Sequence, residues 1–115
     1  MSHKPPSRVD LLQGTLDLLI LRILVFGPQH GQGIARAIQL NSEDVLLVDH
    51  GALYPALQRL LREGWVAAEW GTSARNRRVR TYRLTPAGRK QLEREIAGFE
   101  RLLAGISRVI RPVES

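Results

Sequence analysis

Apolar residues recur every three or four positions in the first part of the chain, which is the spacing of an amphipathic helix. The first such stretch covers residues 9–26 and ends at Gly27-Pro28, a pair that stops helices. A shorter stretch covers residues 33–40. These patterns predict two helices, followed by an apolar segment at 45–48 that is compatible with either a core-filling loop or a brief strand.

The third helical stretch begins at Gly51 and carries its leucines on one side only. At about 100° per residue, four leucines share a face that we predict to be buried, namely Leu53, Leu57, Leu60 and Leu61. Gly51 and Pro55 weaken helices, yet both stand near its start. Either they only shape a turn, or they belong to the first turn of a helix that starts near Gly51, where backbone N–H groups have no helical partners.

The pattern changes to alternation after Gly64. Segments 65–70 and 80–84 predict the two strands of a hairpin, and the polar residues 71–79 between them predict its turn. Thr85-Pro86 then offers an N-cap followed by proline at the first helical position, which predicts a last helix that runs to about residue 111.

This order of elements is that of a winged helix-turn-helix with one added helix, so the predicted fold class is mainly α with a small β-hairpin. We assign residues 1–8 to a flexible N-terminal arm, residues 9–84 to the winged helix-turn-helix domain and residues 85–115 to a C-terminal dimerisation helix. A chain of 115 residues has room for one such domain.

The net charge points to a polyanionic partner. The chain has 17 Lys and Arg residues against 11 Asp and Glu, a net charge of +6, which favours nucleic acid ahead of an anionic membrane surface. The most apolar run, residues 16–26, is shorter than the roughly 20 residues that cross a bilayer, so we predict no membrane anchor. The absence of cysteine excludes disulfides and cysteine-based zinc sites, and it fits a cytoplasmic, nucleoid-associated protein.

The outer face of the third helix is the first candidate for contact with DNA. In a helix-turn-helix protein, the start of the recognition helix approaches base edges while flanking cations meet phosphates. Small, polar and basic residues occupy that face, and we predict that the DNA contacts come from Gly51, Ala52, Tyr54, Pro55, Gln58, Arg59 and Arg62. The Tyr54 hydroxyl is suited equally to bonding a phosphate and to packing on the first helix.

The predicted hairpin tip is the second candidate. It has five arginines between residues 71 and 83 and no acidic residue, whereas solvated loops usually mix signs because like charges repel. We predict a wing that follows the phosphate backbone through Arg75, Asn76, Arg77, Arg78 and Arg80. Arg80 and Arg83 lie on opposite faces of the strand, so at most one of them reaches nucleic acid.

The last helix has a heptad seam formed by Leu92, Ile96, Phe99, Leu103, Ile106 and Ile110. Such a long helix after the wing lacks enough core to cover it in a monomer, so we predict that the same helix of a second copy packs on this seam. Packing on the first helix is the rival, and both arrangements are compatible with different parts of the seam. A two-fold dimer would set two recognition helices about one DNA turn apart.

Catalytic chemistry has little support in the sequence. The histidines His3, His30 and His50 are scattered, and no nucleophile, base and orienting group stand at a suitable spacing, so we predict neither an enzyme nor a cofactor. The acidic residues near His50 fit solvated loop charges better than a metal site. A winged-helix module that binds RNA or protein remains the alternative to duplex DNA binding.

Three phrases of the sequence, in order, resemble the PadR family of bacterial transcriptional regulators. They are FGPQHGQGIARAI at 26–38, GALYPALQRLLREGWV at 51–66, and EWG followed by RTYRLTPAGRKQL at 80–92. The resemblance implies a winged-helix homodimer that binds operator DNA, usually as a repressor and often under the control of a small ligand or stress signal. It makes residues 51–62 the recognition helix, residues 75–80 the wing and the segment from Thr85 the dimerisation helix.

The single C-terminal helix resembles the shorter subfamily of these regulators. Members that bind flat aromatic drugs between subunits use aromatic residues in that helix, whereas here it contains only Phe99. An effector of that kind is therefore not predicted, and the resemblance leaves the identity of any small-molecule effector open. Trp65 and Trp70 fall on the predicted wing strands, where packing is the favoured interpretation over a ligand site.

Overall fold

The computed structural model describes residues 13–111, which form four α-helices, a 3-10 turn and three strands. In chain order these are α1 (Gln13–Ile23), the 3-10 turn (Leu24–Phe26), β1 (Gln29–His30), α2 (Gly31–Asn41), α3 (His50–Arg62), β2 (Val66–Thr72), β3 (Arg78–Leu84) and α4 (Pro86–Ile110). The predicted arm at 1–8 and the predicted first turn of α1 lie outside the described residues, as does Pro112. The mainly helical fold class is confirmed.

The sheet has three strands, and this corrects the expected two-stranded hairpin. Its order is β1-β3-β2, with both pairs antiparallel, and Gln29 lies opposite Tyr82. A strand of two residues has no periodicity to detect, which is why the sequence pattern missed β1. The long strands also run two residues further towards the tip than predicted, so the turn is shorter.

The second helix starts two residues earlier than predicted, at Gly31, because the His30 side chain caps it. The backbone N–H of Gly33 donates to Nδ1 of His30 at 3.0 Å. Side chains that accept from the first N–H groups of a helix stabilise its start, and histidine is not among the usual N-cap residues. The 45–48 segment is an extended loop, with one bridge residue at Leu46.

One apolar core lies between the first three helices and extends to the base of the sheet. The predicted leucine face of α3 is confirmed, since Leu53, Leu57 and Leu60 are fully buried and Leu61 packs against them. Helix α1 contributes most of the opposite wall, and Val66, Tyr82 and Leu92 close the core from the strands and α4. No helix within residues 13–111 is long and apolar enough to cross a membrane.

The start of α4 is fixed to the turn between α3 and β2. Thr85 accepts a hydrogen bond from the N–H of Gly88 at 3.0 Å and donates its hydroxyl to the carbonyl of Gly64 at 2.7 Å, which confirms the predicted N-cap. Gly88 is required by space, because a β-carbon there would overlap the carbonyl oxygen of Trp65. The start of α4 is therefore held against the turn that follows α3.

Candidate nucleic-acid interface

Helix α3 presents one continuous exposed face to solvent. Its buried side faces the core, and the opposite side exposes six of the predicted contact residues, namely Gly51, Ala52, Tyr54, Pro55, Gln58 and Arg62. The helix begins at His50 with Asp49 as its N-cap, so Pro55 is the sixth helical residue and not part of the first turn. The prediction that Pro55 belongs to the first turn of the helix is therefore wrong. In an uninterrupted helix the N–H of residue 55 would donate to the carbonyl of Gly51, and proline lacks that N–H.

Tyr54 packs on the start of α2. A β-carbon at Gly31 would lie 3.0 Å from the Tyr54 ring and hydroxyl, so the absence of a side chain at Gly31 makes room for the tyrosine. His50 meets the same ring edge-on, with centroids 6.2 Å apart. Tyr54 stays partly accessible and joins the surface of α3 to that of α2.

Arg59 departs from the predicted contact surface. Its Nη2 donates to Oδ1 of Asp17 on α1 at 2.8 Å, and the two side chains are only 25% and 16% exposed. A helical wheel places Arg59 beside Arg62 but carries no information about the carboxylate on the neighbouring helix. Arg59 is thus engaged between α3 and α1 and is held away from the exposed face of α3.

The wing turn is ordered by backbone hydrogen bonds. The N–H of Asn76 donates to the carbonyl of Ser73 at 2.9 Å, and the N–H of Ser73 donates to the carbonyl of Arg77 at 2.7 Å. Asn76 has a φ of +59°, a left-handed conformation that asparagine tolerates better than most residues. This geometry projects Arg75 and Arg77 into solvent at the tip.

Trp70 carries an unexpected cluster of cations. The residue is 57% exposed, and the guanidinium carbon of Arg78 lies 4.6 Å from the ring centroid. The guanidinium of Arg80 lies 5.9 Å from the same ring and 5.8 Å from that of Tyr82. The packing interpretation holds for Trp65, which lies against the core, and fails for Trp70, which stands outside it.

A cleft of about 710 Å³ separates the wing from the helices and collects residues from both. Tyr54 lines the helical side, and Arg75, Arg77 and Arg80 line the wing side. Two further lining residues, His30 and Gln32, were missed by the sequence analysis. The only signal for them was their place at the start of α2, the helix that precedes α3.

The predicted dimer seam divides into two parts. Leu92 is buried in the chain's own core and Phe99 packs against that core, so neither presents the free surface that the prediction required. Ile96, Leu103, Ile106 and Ile110 are exposed, together with Leu102 and Val109. The rival expectation, packing on α1, therefore applies to the part of α4 around Leu92 and Phe99, although Ile96 between them stays exposed.

Comparison with known proteins agrees with this geometry. Residues 20–94 match the family described as the transcriptional regulator PadR-like family, so the chain belongs to that family. Its members are transcriptional regulators that bind DNA and are not enzymes. Within residues 13–111, no group of three or more histidine or acidic side chains could hold a metal ion.

Individual relatives are similar to this chain over most of its length. A transcriptional regulator from Clostridium thermocellum is 25% identical, with a TM-score of 0.81 over 90% of this chain and 100% of the other. A PadR family regulator from Eggerthella lenta is 25% identical, with a TM-score of 0.74 over 88% of this chain and 86% of the other. An uncharacterised protein of Lysinibacillus sphaericus is 27% identical over 74% of this chain and 78% of its own length.

Proposed function

We propose that the protein is a homodimeric repressor that binds a pseudo-palindromic operator. The supporting observation is that the exposed face of α3 and the arginine-rich tip of the wing border one cleft. A recognition helix in the major groove with a wing on the adjacent backbone would use both surfaces at once. Occupied promoter DNA would then be closed to RNA polymerase, and the protein would act on the nucleoid, in the bacterial cytoplasm.

Residues of α3 divide by chemistry into base contacts and phosphate contacts. Gln58 is exposed near the middle of the helix, and its amide matches the donor and acceptor of an adenine edge. Gly51 has no side chain and Ala52 only a methyl group, so the backbone of α3 is close to the surface there. An added β-carbon at Gly51 would meet only the Asp49 carboxylate, which leaves room for DNA to approach the backbone closely. Arg62 and the wing arginines carry the charge for phosphates.

The homodimer is supported by the second half of α4. Its exposed apolar residues form a stripe that no element within residues 13–111 covers. A second copy supplies a matching stripe, and a two-fold arrangement places two recognition helices about one DNA turn apart. Release by a small effector is compatible with this arrangement and is not required by it.

The proposal is tested by selecting bound duplexes from a randomised DNA pool at near-physiological salt, then sequencing them. The expected outcome is an inverted repeat with half-sites about one helical turn apart. Binding without an enriched motif would contradict sequence-specific recognition, and preferential binding of competitor RNA would favour the RNA alternative.

Two variants separate the roles assigned within the site. Gln58→Ala should change the enriched base at one position of each half-site, because it removes a base contact. Arg77→Ala should keep the motif and weaken all duplexes alike, since phosphate contacts carry no sequence information. If both variants selected the wild-type motif with wild-type affinity, the proposed orientation on DNA would be wrong.

A further inference from the structure

Trp70 occupies a position where a large apolar side chain has no core to enter. It lies near the outer end of β2, directly opposite Arg80 on β3, while Thr72 lies opposite Arg78. Alternation along the strands puts Trp70, Arg78 and Arg80 on one face of the sheet, the face whose inner end holds Val66 and Tyr82 in the core. The Trp70 indole therefore lies on the core-facing side of the hairpin, beyond the end of the core and exposed to solvent.

The two arginines use this ring as a platform. Arg78 lies over the indole at 4.6 Å, and Arg80 lies between the indole at 5.9 Å and the Tyr82 ring at 5.8 Å. Cations within about 6 Å of a ring centroid are attracted by the negative face of the ring, most strongly for tryptophan. Two guanidinium groups that would otherwise repel and sample many rotamers are held at one side of the hairpin.

That side of the hairpin is turned towards the helices. Trp70 and Arg80 line the same cleft as Tyr54 and the start of α2, whereas Arg83 lies on the other face of β3. A DNA strand that follows the wing while α3 occupies the groove would pass this cleft. The arrangement fixes both cations before DNA arrives, which lowers the entropy lost when they bind phosphates.

We propose that Trp70 is a positioning residue that holds the guanidinium groups of Arg78 and Arg80 ready for the phosphates of duplex DNA. The proposal rests on the proposed function and adds a role for a residue that need not contact DNA. Base stacking by Trp70 is the competing role, and it is disfavoured because a guanidinium already lies over the ring.

The test compares full-length variants on a mixed-sequence DNA duplex three helical turns long, across a series of salt concentrations. Trp70→Leu keeps apolar bulk but lacks a π face, and Trp70→Phe restores a ring. We expect Trp70→Leu to bind about tenfold more weakly, in line with the strength of one to two cation–π contacts, and Trp70→Phe to recover most of that loss.

The salt dependence distinguishes positioning from mere support of the fold. Each phosphate contact contributes about 0.9 to the slope of log affinity against log salt, so disengaging one or both arginines should reduce the slope by about one to two. Trp70→Leu should therefore reproduce the slope of the Arg78→Ala/Arg80→Ala double variant. Thermal melting of every variant, without DNA, serves as the control for folding.

A mutant cycle that combines the tryptophan and arginine substitutions tests whether Trp70 acts only through the arginines. If Trp70 acts only through the arginines, adding Trp70→Leu to the double arginine variant should cause no further loss. A further loss would show that Trp70 contacts DNA itself and would overturn the proposal. Wild-type affinity and slope for Trp70→Leu would overturn it as well, while failure of the wild-type chain to bind any duplex would also remove the proposed function.

Fluorescence supplies a readout that needs no DNA. The chain has two tryptophans, so Trp65→Phe leaves Trp70 as the only one. In that background, replacing Arg78 and Arg80 with alanine should shift the emission of Trp70, because two cations leave its surroundings. Unchanged emission would show that the arginines do not stack on the ring in solution, and the proposal would fall.

Discussion

The two halves of α4 have the same apolar pattern and different surroundings. In the part up to Phe99, Leu92 is only 5% exposed and Phe99 packs against the core, while Ile96 between them is 36% exposed. In the second half, Leu103 is 49% exposed and its apolar neighbours are exposed as well. A heptad spacing therefore identifies the apolar face of a helix without identifying what covers it.

Length explains why the coverage changes along the helix. At about 1.5 Å per residue, the 25 residues of α4 span roughly 37 Å, whereas the 11 described residues of α1 span roughly 16 Å. The start of α4 is fixed at Thr85 and Gly88, and the described residues of α1 lie beside α4 as far along as Phe99 and Leu102. The comparison predicts that equal substitutions in the two halves have unequal consequences.

The largest effect is expected from Leu92→Ala. Removing a fully packed leucine leaves a cavity in the core, and such changes lower the free energy of unfolding by about 2–5 kcal/mol. Denaturant unfolding of the wild-type and variant chains measures this difference. The loss should be independent of protein concentration, because the contacts removed lie within one chain.

The matched control is Leu103→Ala, the same substitution in the second half of the helix. In dilute solution it should change unfolding by well under 1 kcal/mol, the usual range for exposed positions. Equal losses for the two leucines would mean that the second half is also covered within one chain. The comparison between the halves would then no longer stand.

The next effect concerns association and not folding. Leu103→Asp places a charge in the stripe that we propose to be covered by a second copy, where an unpaired charge is strongly disfavoured. The variant should elute as a monomer at concentrations where the wild-type chain is a dimer, measured by light scattering. Its melting temperature should also lose the concentration dependence that a dimer shows.

Glu100→Lys, an exposed change on the same part of α4, controls for a general effect of altered charge. It should leave the mass of the dimer unchanged. A Leu103→Asp chain that remained dimeric would place the dimer contact elsewhere. A monomeric wild-type chain would contradict the homodimer proposal itself.

The same contrast shows what the sequence could predict. Helices α1 to α3 and the long strands were predicted because their apolar positions follow 3.6-residue or two-residue periods, and Thr85-Pro86 gave the start of α4. Strand β1 was missed because two residues carry no period. The sequence pattern could not predict which element packs against each apolar face, because periodicity describes one element and packing involves two.

In the candidate nucleic-acid interface too, local patterns were predicted and contacts between distant residues were not. The exposed face of α3 and the acid-free tip of the wing were predicted from residues close together in the sequence. The pair formed by Arg59 with Asp17 spans 42 positions, and the approach of Gly31 to Tyr54 spans 23, so neither has a local signal. The stack on Trp70 was accessible in principle, because correct hairpin register alone puts Arg80 opposite it.

The smallest expected effect lies between the two halves of α4, at Glu95. Burial raises the pKa of this carboxyl above its ordinary value, the hydrogen bond from Gln91 lowers it in part, and the negative charge of Asp17 raises it further. The folded chain therefore binds the proton more tightly than the unfolded chain. Stability from this group is present at acidic pH and falls as the pH rises through the raised pKa.

At neutral pH the wild-type chain folds with a charged, partly buried carboxylate, which costs free energy. Glu95→Gln removes this charge and keeps a similar helix propensity. We expect a gain of a few tenths of a kcal/mol at pH 7, small because solvent screens this partly exposed carboxyl, and the gain should shrink as the pH falls through the raised pKa of Glu95. Denaturant unfolding at pH 7 and at acidic pH, with the exposed Glu93→Gln as the control, measures it. A loss of stability at pH 7 would instead show that the hydrogen bond with Gln91 outweighs the cost of burial, so that the charge stabilises the junction between the halves.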